Sequence, residues 1–142
     1  IMDQGRLDEA RGECTKAIGS YSYQNAEIAY FNLGRAAFLV GGYTVAVDAL
    51  KRSLNILPNN EDAQFMLGRC YAKLGELAEA EKTFVGALAL RPDSAKTHYE
   101  LGLVLFKRGR KAEAAKHFEE VVRLDPHSEM SDKSETFIKL LR

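Results

Sequence analysis

Apolar residues recur along the chain at helical spacing, in pairs of short runs. Within residues 61–94, Leu67, Tyr71 and Leu74 fall on one face of a helix, and beyond Gly75 the residues Leu77, Ala80, Phe84, Ala87 and Leu88 fall on one face of another. Polar residues fill the opposite faces. Gly75 is placed to stop the first helix, and Pro92 marks where the second has ended. The stretch predicts a helical hairpin.

The segment NLGRAAFLVGG, Asn32 to Gly42, has the same pattern, with Leu33, Ala36, Ala37, Phe38 and Val40 on its apolar face. A glycine also sits inside this helix at Gly34, where it costs about 1 kcal/mol relative to alanine. The Leu-Gly pair returns every 34 residues, as Leu67-Gly68 and Leu101-Gly102, and each pair is followed seven residues later by Gly41, Gly75 or Gly109. Ala46, Ala80 and Ala114 keep the same period, as do Pro58, Pro92 and Pro126. The chain is therefore an internal repeat of helical hairpins. The helical glycines are expected to let the two helices of a hairpin approach more closely than a larger side chain would permit. Gly68→Leu is accordingly expected to unfold the array locally, and an unchanged melting temperature would sink that account.

These residues resemble the tetratricopeptide repeat. Residues 61–94 supply Leu67, Gly68, Tyr71, Ala80, Phe84, Ala87 and Pro92, with Gln64 where the family usually has a large aromatic. Residues 95–128 supply His98, Leu101, Gly102, Leu105, Ala114, Phe118, Val121 and Pro126. Residues 27–60 supply Tyr30, Leu33, Gly34, Ala37, Ala46, Leu50, Ser53 and Pro58. The resemblance implies an all-α fold, a right-handed α-solenoid of helical hairpins with a C-terminal capping helix. It divides one solenoid over residues 1–142 into a partial repeat (1–24), full repeats at 27–60, 61–94 and 95–128, and a cap at 129–142. In the partial repeat Gly5 is the turn, Leu7 and Ala10 are in place, and Cys14 and Ala17 occupy packing positions. In the cap, Met130, Phe137, Ile138 and Leu141 share a face that follows an N-cap at Ser128.

Composition narrows function mainly by exclusion. Twenty basic residues balance twenty acidic ones, so bulk charge gives no argument for nucleic acid or an anionic membrane as partner. No apolar run approaches the roughly 20 residues of a membrane span, and the first residues carry no charged-then-apolar leader, although the chain begins inside a repeat. Cys14 and Cys70 belong to no ligand pattern and are expected to be small buried thiols rather than a disulfide.

A search for chemistry gives little. His98, His117 and His127 read as scattered, with no metal-ligand spacing, and no serine or cysteine sits in a nucleophile motif. The glycines are turn and packing residues, not a phosphate loop. The expectation is no catalytic residue, no metal and no cofactor. The acidic runs ELAEAEK and KHFEE read as solvated outer faces of second helices.

The resemblance to tetratricopeptide repeats implies that the second, fifth, ninth, twelfth and thirteenth residues of each first helix line a concave groove. That frame puts Phe31, Phe65 and Tyr99 in one column, Arg35, Arg69 and Leu103 in the next, then Phe38, Ala72 and Phe106, with Lys73 and Lys107 beside them and Asn32 adjacent. An aromatic groove with a basic edge suits an extended or helical peptide that carries apolar anchors and some acidic character. The lysine, asparagine and arginine clamp with which some co-chaperones hold a heat-shock protein tail is missing. Asn32 fits one element of it in one frame, but Asp62 and Met66 stand at the lysine and arginine places, and in the other frame Lys96 alone fits.

The junction IGSYSYQNAEIAYFNLG, Ile18 to Gly34, departs from the period by two residues and lacks the proline. It resembles bacterial type IV pilus biogenesis proteins of the PilF/PilW type, which implies a periplasmic or outer-membrane-associated assembly factor for a secretin or pilus. The alternatives are a general interaction domain of a larger regulatory or enzyme-associated protein, cytoplasmic in that case, and a homo-oligomer paired through the apolar face that a half repeat exposes.

Overall fold

The computed structural model describes residues 25–142, which form helices joined by short turns. They are α1 (Ala26–Leu39), α2 (Tyr43–Ile56), α3 (Glu61–Lys73), α4 (Leu77–Leu90), α5 (Ala95–Lys107), α6 (Lys111–Leu124) and α7 (Glu129–Leu141). The chain divides into two compact units, Ile1–Gly75 and Glu76–Arg142. The partial repeat at 1–24, with its Gly5 turn and Cys14, lies outside the described residues, as does the 18–24 part of the Ile18–Gly34 junction.

Two kinds of helix start alternate, and the sequence explains both. The first helices α3 and α5 and the cap begin after an N-cap residue whose side chain accepts a hydrogen bond from the first turn. Asn60 accepts from the Ala63 N–H at 3.2 Å, Ser94 from the Thr97 N–H at 3.4 Å, and Ser128 from the Ser131 N–H at 3.0 Å. The second helices α2, α4 and α6 lack such a cap and follow a glycine turn instead. Gly41, Gly75 and Gly109 have φ of 84°, 78° and 80°, a left-handed backbone that a side chain would strain. The N–H of Gly42 then reaches back to the Ala37 carbonyl at 2.8 Å, and that of Arg110 to Leu105 at 2.9 Å, which satisfies the carbonyls at the helix ends.

In the first unit, α1 and α2 form a hairpin and α3 packs on α2. Leu33, Ala37, Ala46, Ala49, Leu50, Leu67, Cys70 and Tyr71 are buried there. A Cβ added at Gly34 would lie 2.7 Å from Leu50 Cγ, so the interhelical approach requires glycine. Ser53, a weak match to the repeat pattern, is fully buried and its hydroxyl donates to the Glu27 carbonyl at 2.8 Å, tying α2 to the first turn of α1. Leu74 departs from the expected apolar face: α3 ends at Lys73, and Leu74 sits in the turn, 38% exposed.

In the second unit, α5 and α6 form the hairpin, α4 packs on α5, and α7 packs on α6. Its centre is Phe118, fully buried, with Gly102 on one side and Phe137 on another. A Cβ at Gly102 would stand 2.8 Å from Phe118 Cε1, and the Phe137 ring stacks on Phe118 with centroids 4.8 Å apart and planes 7° from parallel. The fully buried residues of α7 are Ser131 and Ser134, flanked by the half-buried Met130, Phe137, Ile138 and Leu141. The small serines let α7 approach, while the larger residues close the sides of the contact.

Candidate partner-binding face

In the first unit, α1 and α3 carry most of the residues that the repeat frame assigns to the groove. Phe31 and Phe38 are half-buried, while Asn32 and Arg35 are exposed on the same helix. The Arg35 guanidinium lies 6.0 Å from the Phe31 ring centre, one helical turn away. Phe38 meets the edge of Tyr43 across the hairpin turn, with centroids 5.4 Å apart. On α3, Arg69 places its guanidinium 4.9 Å from the centre of Phe38. Two first helices thus share one cation–aromatic contact, worth about 0.5–1 kcal/mol where water has access. Phe65 is half-buried, and Lys73 is exposed in the last turn of α3.

Two further residues belong to this face. Ile28 is 50% exposed and Leu39 is 77% exposed. They occupy the second and thirteenth places of the same frame in residues 27–60, so counting along the repeat was signal enough to find them. Large aliphatic groups left in water beside basic residues form an amphipathic surface whose apolar area a partner can bury.

The second unit treats the equivalent positions differently. Tyr99 is half-buried with its ring edge-on to Phe118 at 6.0 Å, and Phe106 is edge-on to Phe137 of α7 at 5.4 Å. Burial pushes the Tyr99 phenol above its ordinary value, with Lys133 of α7 opposing and Glu100 and Glu129 reinforcing the shift. Lys107 is exposed. Of the four residues that the frame places here, Tyr99 and Phe106 are engaged with the unit's own core and cap, and Leu103 is half-buried.

The structure corrects two sequence readings. The histidines are not all scattered, because His98 and His117 meet with their Nδ1 atoms 3.0 Å apart and His98 Nε2 lies 2.8 Å from the Pro92 carbonyl oxygen. They are 19 residues apart, a spacing that matches no sequence motif and is produced by the hairpin. The acidic run ELAEAEK is not uniformly solvated either. Glu81 has a side chain only 19% exposed and accepts from Arg108 at 2.7 Å and Arg110 at 2.6 Å, and Arg110 also holds Glu113 at 2.6 Å. Hydrogen bonding to Arg110 holds the Glu113 carboxyl below the usual carboxylate range. Cys70 is buried as expected, and burial pushes its thiol up to about 12, which leaves little thiolate for chemistry. Among the described residues no group of three or more His, Cys, Asp or Glu is arranged to hold a metal ion, and no helix is long and apolar enough to cross a membrane.

Helical hairpins of this period, with glycine turns and first-helix faces, define a repeat protein of the α-solenoid class. The chain belongs to the tetratricopeptide repeat family, whose model matches residues 2–62, 41–95 and 65–129. That fold generally serves protein interaction rather than catalysis. No curated protein sequence matches the chain significantly. Among solved structures, the chain is similar to the crystal structure of MamA, at 20% identity over 97% of this chain and 88% of that one, with a TM-score of 0.79. It is similar to YrrB, a tetratricopeptide repeat protein with an unusual peptide-binding site, at 19% identity over 94% of this chain and 68% of that one, TM-score 0.81. It is also similar to the first such domain of Spaghetti (RPAP3) bound to an HSP90 peptide, at 23% identity over 81% and 92%, TM-score 0.76. At these identities the likeness is one of fold.

Proposed function

We propose that this chain is a non-enzymatic interaction scaffold that holds a peptide or protein segment on the first-helix face of its first unit. The observation that carries the reading is the combination on that face of exposed aliphatic residues, Ile28 and Leu39, with arginines seated on aromatic rings, Arg35 by Phe31 and Arg69 by Phe38. Apolar anchors of a partner would cover the aliphatics, and a guanidinium already positioned by a ring loses less freedom when it pairs with a carboxylate. The expected partner therefore carries apolar anchors and acidic side chains. The peptide-bound relative and the peptide-binding site of YrrB support the use of this fold for such a task. The same reading takes residues 1–142 as one repeat array.

Fluorescence anisotropy with labelled peptides of graded acidity and varied leucine or phenylalanine spacing tests it. Acidic peptides with apolar anchors are expected to bind, and Leu39→Ser with Arg35→Ala is expected to weaken that binding by roughly ten-fold at an unchanged melting temperature. Equal binding by neutral and basic peptides, or by the variant, would count against the face.

A narrower reading makes the partner a secretin or pilus component of a bacterial envelope machine. Its support is the resemblance of Ile18–Gly34 to proteins of the PilF/PilW type. Affinity capture from the source cell's membrane fraction, comparing the parent with a variant carrying Arg35→Ala, Phe65→Ala and Arg69→Ala, separates it from a general scaffold. Recovery of a secretin or pilus protein by the parent alone favours the narrower reading, and recovery of other proteins favours the general one.

A further inference from the structure

The histidine pair in the second unit has no part in the face described above, and its geometry is unusual. The ring centroids of His98 and His117 are 5.2 Å apart, close to the 3.0 Å Nδ1···Nδ1 distance plus the two ring radii, so the rings meet head-on. Head-on lone pairs suit a hydrogen bond. They do not suit a shared metal ion, because ligand lone pairs must converge on a third point about 2.0–2.1 Å from each nitrogen.

Pro92 fixes where the protons are. Its carbonyl can only accept, so His98 Nε2 carries a hydrogen and donates to it across 2.8 Å. Neutral His98 then has a bare Nδ1, which accepts from the Nδ1–H of His117. The Nε2 of His117 takes up a first proton without disturbing either bond. A second proton has only the Nδ1 lone pair that holds the bond. Its arrival would place two N–H groups face to face at 3.0 Å and break the contact.

We propose that the His98–His117 pair is a proton-operated latch on the α5–α6 hairpin, closed while the pair carries at most one charge and opened by the second. When closed, the pair ties α6 through His98 to the turn at Pro92, which leads into α5. Opening it releases that turn from α6.

The surroundings agree with this. His98 is buried at 8% exposure and His117 is half-buried. Burial first, and then the neighbouring His98, push His117 below its ordinary value near 6.5, while Glu113, Glu120 and Glu81 pull the other way. Those three carboxylates, Glu81 from α4 and the others from α6, are the acidic groups that act on His117, and each is already paired with an arginine. Glu81 is held by Arg108 and Arg110, Glu113 by Arg110, and Glu120 by Arg123. Their attraction for a histidinium is therefore largely spent.

The sign of the pH effect follows. A histidine whose folded form resists protonation, as His117 does, contributes stability that is complete above about pH 6.5 and is lost as the pH falls below it, because the unfolded chain takes up a proton that the folded ring refuses. Each refused proton raises the unfolding constant by up to about ten-fold per pH unit.

Urea unfolding of the full chain between pH 8 and 5 reads this directly. The parent is expected to lose stability on that slope below about pH 6.5, and His117→Gln is expected to flatten it. Carbon-13 titration of the imidazoles in the unmutated chain gives a second reading that needs no variant. The His117 ring is expected to change below the ordinary histidine value, and the His98 signals are expected to respond to the same step. A flat parent profile, an unchanged slope in His117→Gln, or a His117 titration at the ordinary value with no response from the His98 signals would each overturn the latch. Stabilisation of the parent by zinc chloride, lost in His117→Gln, would overturn it in favour of a metal site.

Discussion

The first helices α1 and α5 occupy equivalent places in the repeat, yet their faces meet different ends. On α1 the frame exposes Ile28 and Leu39 to water and seats arginines on Phe31 and Phe38. On α5 the corresponding aromatics turn into their own unit, Tyr99 against Phe118 and Phe106 against Phe137. One repeat pattern therefore yields exposed aliphatic groups with cation–aromatic contacts in one unit and aromatic contacts to the core and cap in the other. The partners of these rings come from two helices, Phe118 from α6 for Tyr99 and Phe137 from α7 for Phe106.

The largest test of that contrast is Phe118→Ala. The ring is fully buried, stacks on Phe137 and lies against Gly102, so its removal takes away the centre of the second unit. A loss of about 3–5 kcal/mol in chemical unfolding is expected. Peptide binding by the first unit, measured where the variant remains folded, should change far less.

Gly102→Ala is next. Alanine favours the helix by about 1 kcal/mol, but its methyl would press on a ring that Phe137 pins from another side, so a net loss of about 1–2 kcal/mol is expected. At Gly34 the neighbour is Leu50, an aliphatic chain with two torsions to adjust, and the loss there should be smaller. Equal losses at both sites would show that the stacked ring is not the rigid partner it is taken to be.

Smaller still is the pair Phe106→Ala and Leu39→Ser. Phe106 is only half-buried, against Phe137, so truncating it should cost about 1 kcal/mol. Leu39 is 77% exposed, so its replacement should leave unfolding within about 0.5 kcal/mol while weakening peptide binding. Were Leu39→Ser to destabilise the chain as much as Phe106→Ala, the two faces would not differ in kind.

Much of this was legible in the sequence because the repeat period makes each position informative three times over. Gly75 and its equivalents announced the hairpin turns, and the Leu-Gly pairs announced close helix approach, which the contacts at Gly34 and Gly102 bear out. Periodicity fails where a side chain's role depends on its counterpart in another helix. Ser131 and Ser134 read as polar yet are buried, since a close helix contact needs small residues more than apolar ones. The His98–His117 pair and the Glu81 cluster were missed for the same reason, because their members join elements that no local spacing connects. Ile28 and Leu39 were within reach of the frame, which specified their positions.

The smallest expected effect separates two arginines of the second unit. Arg123 pairs with Glu120 within one helix, both side chains exposed to water, and such pairs contribute little because solvent screens them. Arg110 instead spans Glu81 on α4 and Glu113 on α6, and Glu81 is mostly shielded from water. Removing Arg110 leaves that carboxylate with Arg108 alone. Arg110→Gln should therefore lower the melting temperature at neutral pH, and Arg123→Gln should leave it within the scatter of replicate curves. Hydrogen bonding to Arg110 holds Glu113 below its ordinary value of 4.5, so the stability this pair adds is present above that pH and lost as the pH falls through the lowered value. The difference between parent and Arg110→Gln should accordingly shrink under acid, in a window below the one set by the histidine pair. A gap that persists unchanged to pH 3 would mean that Arg110 acts through the packing of its stem rather than through its charge.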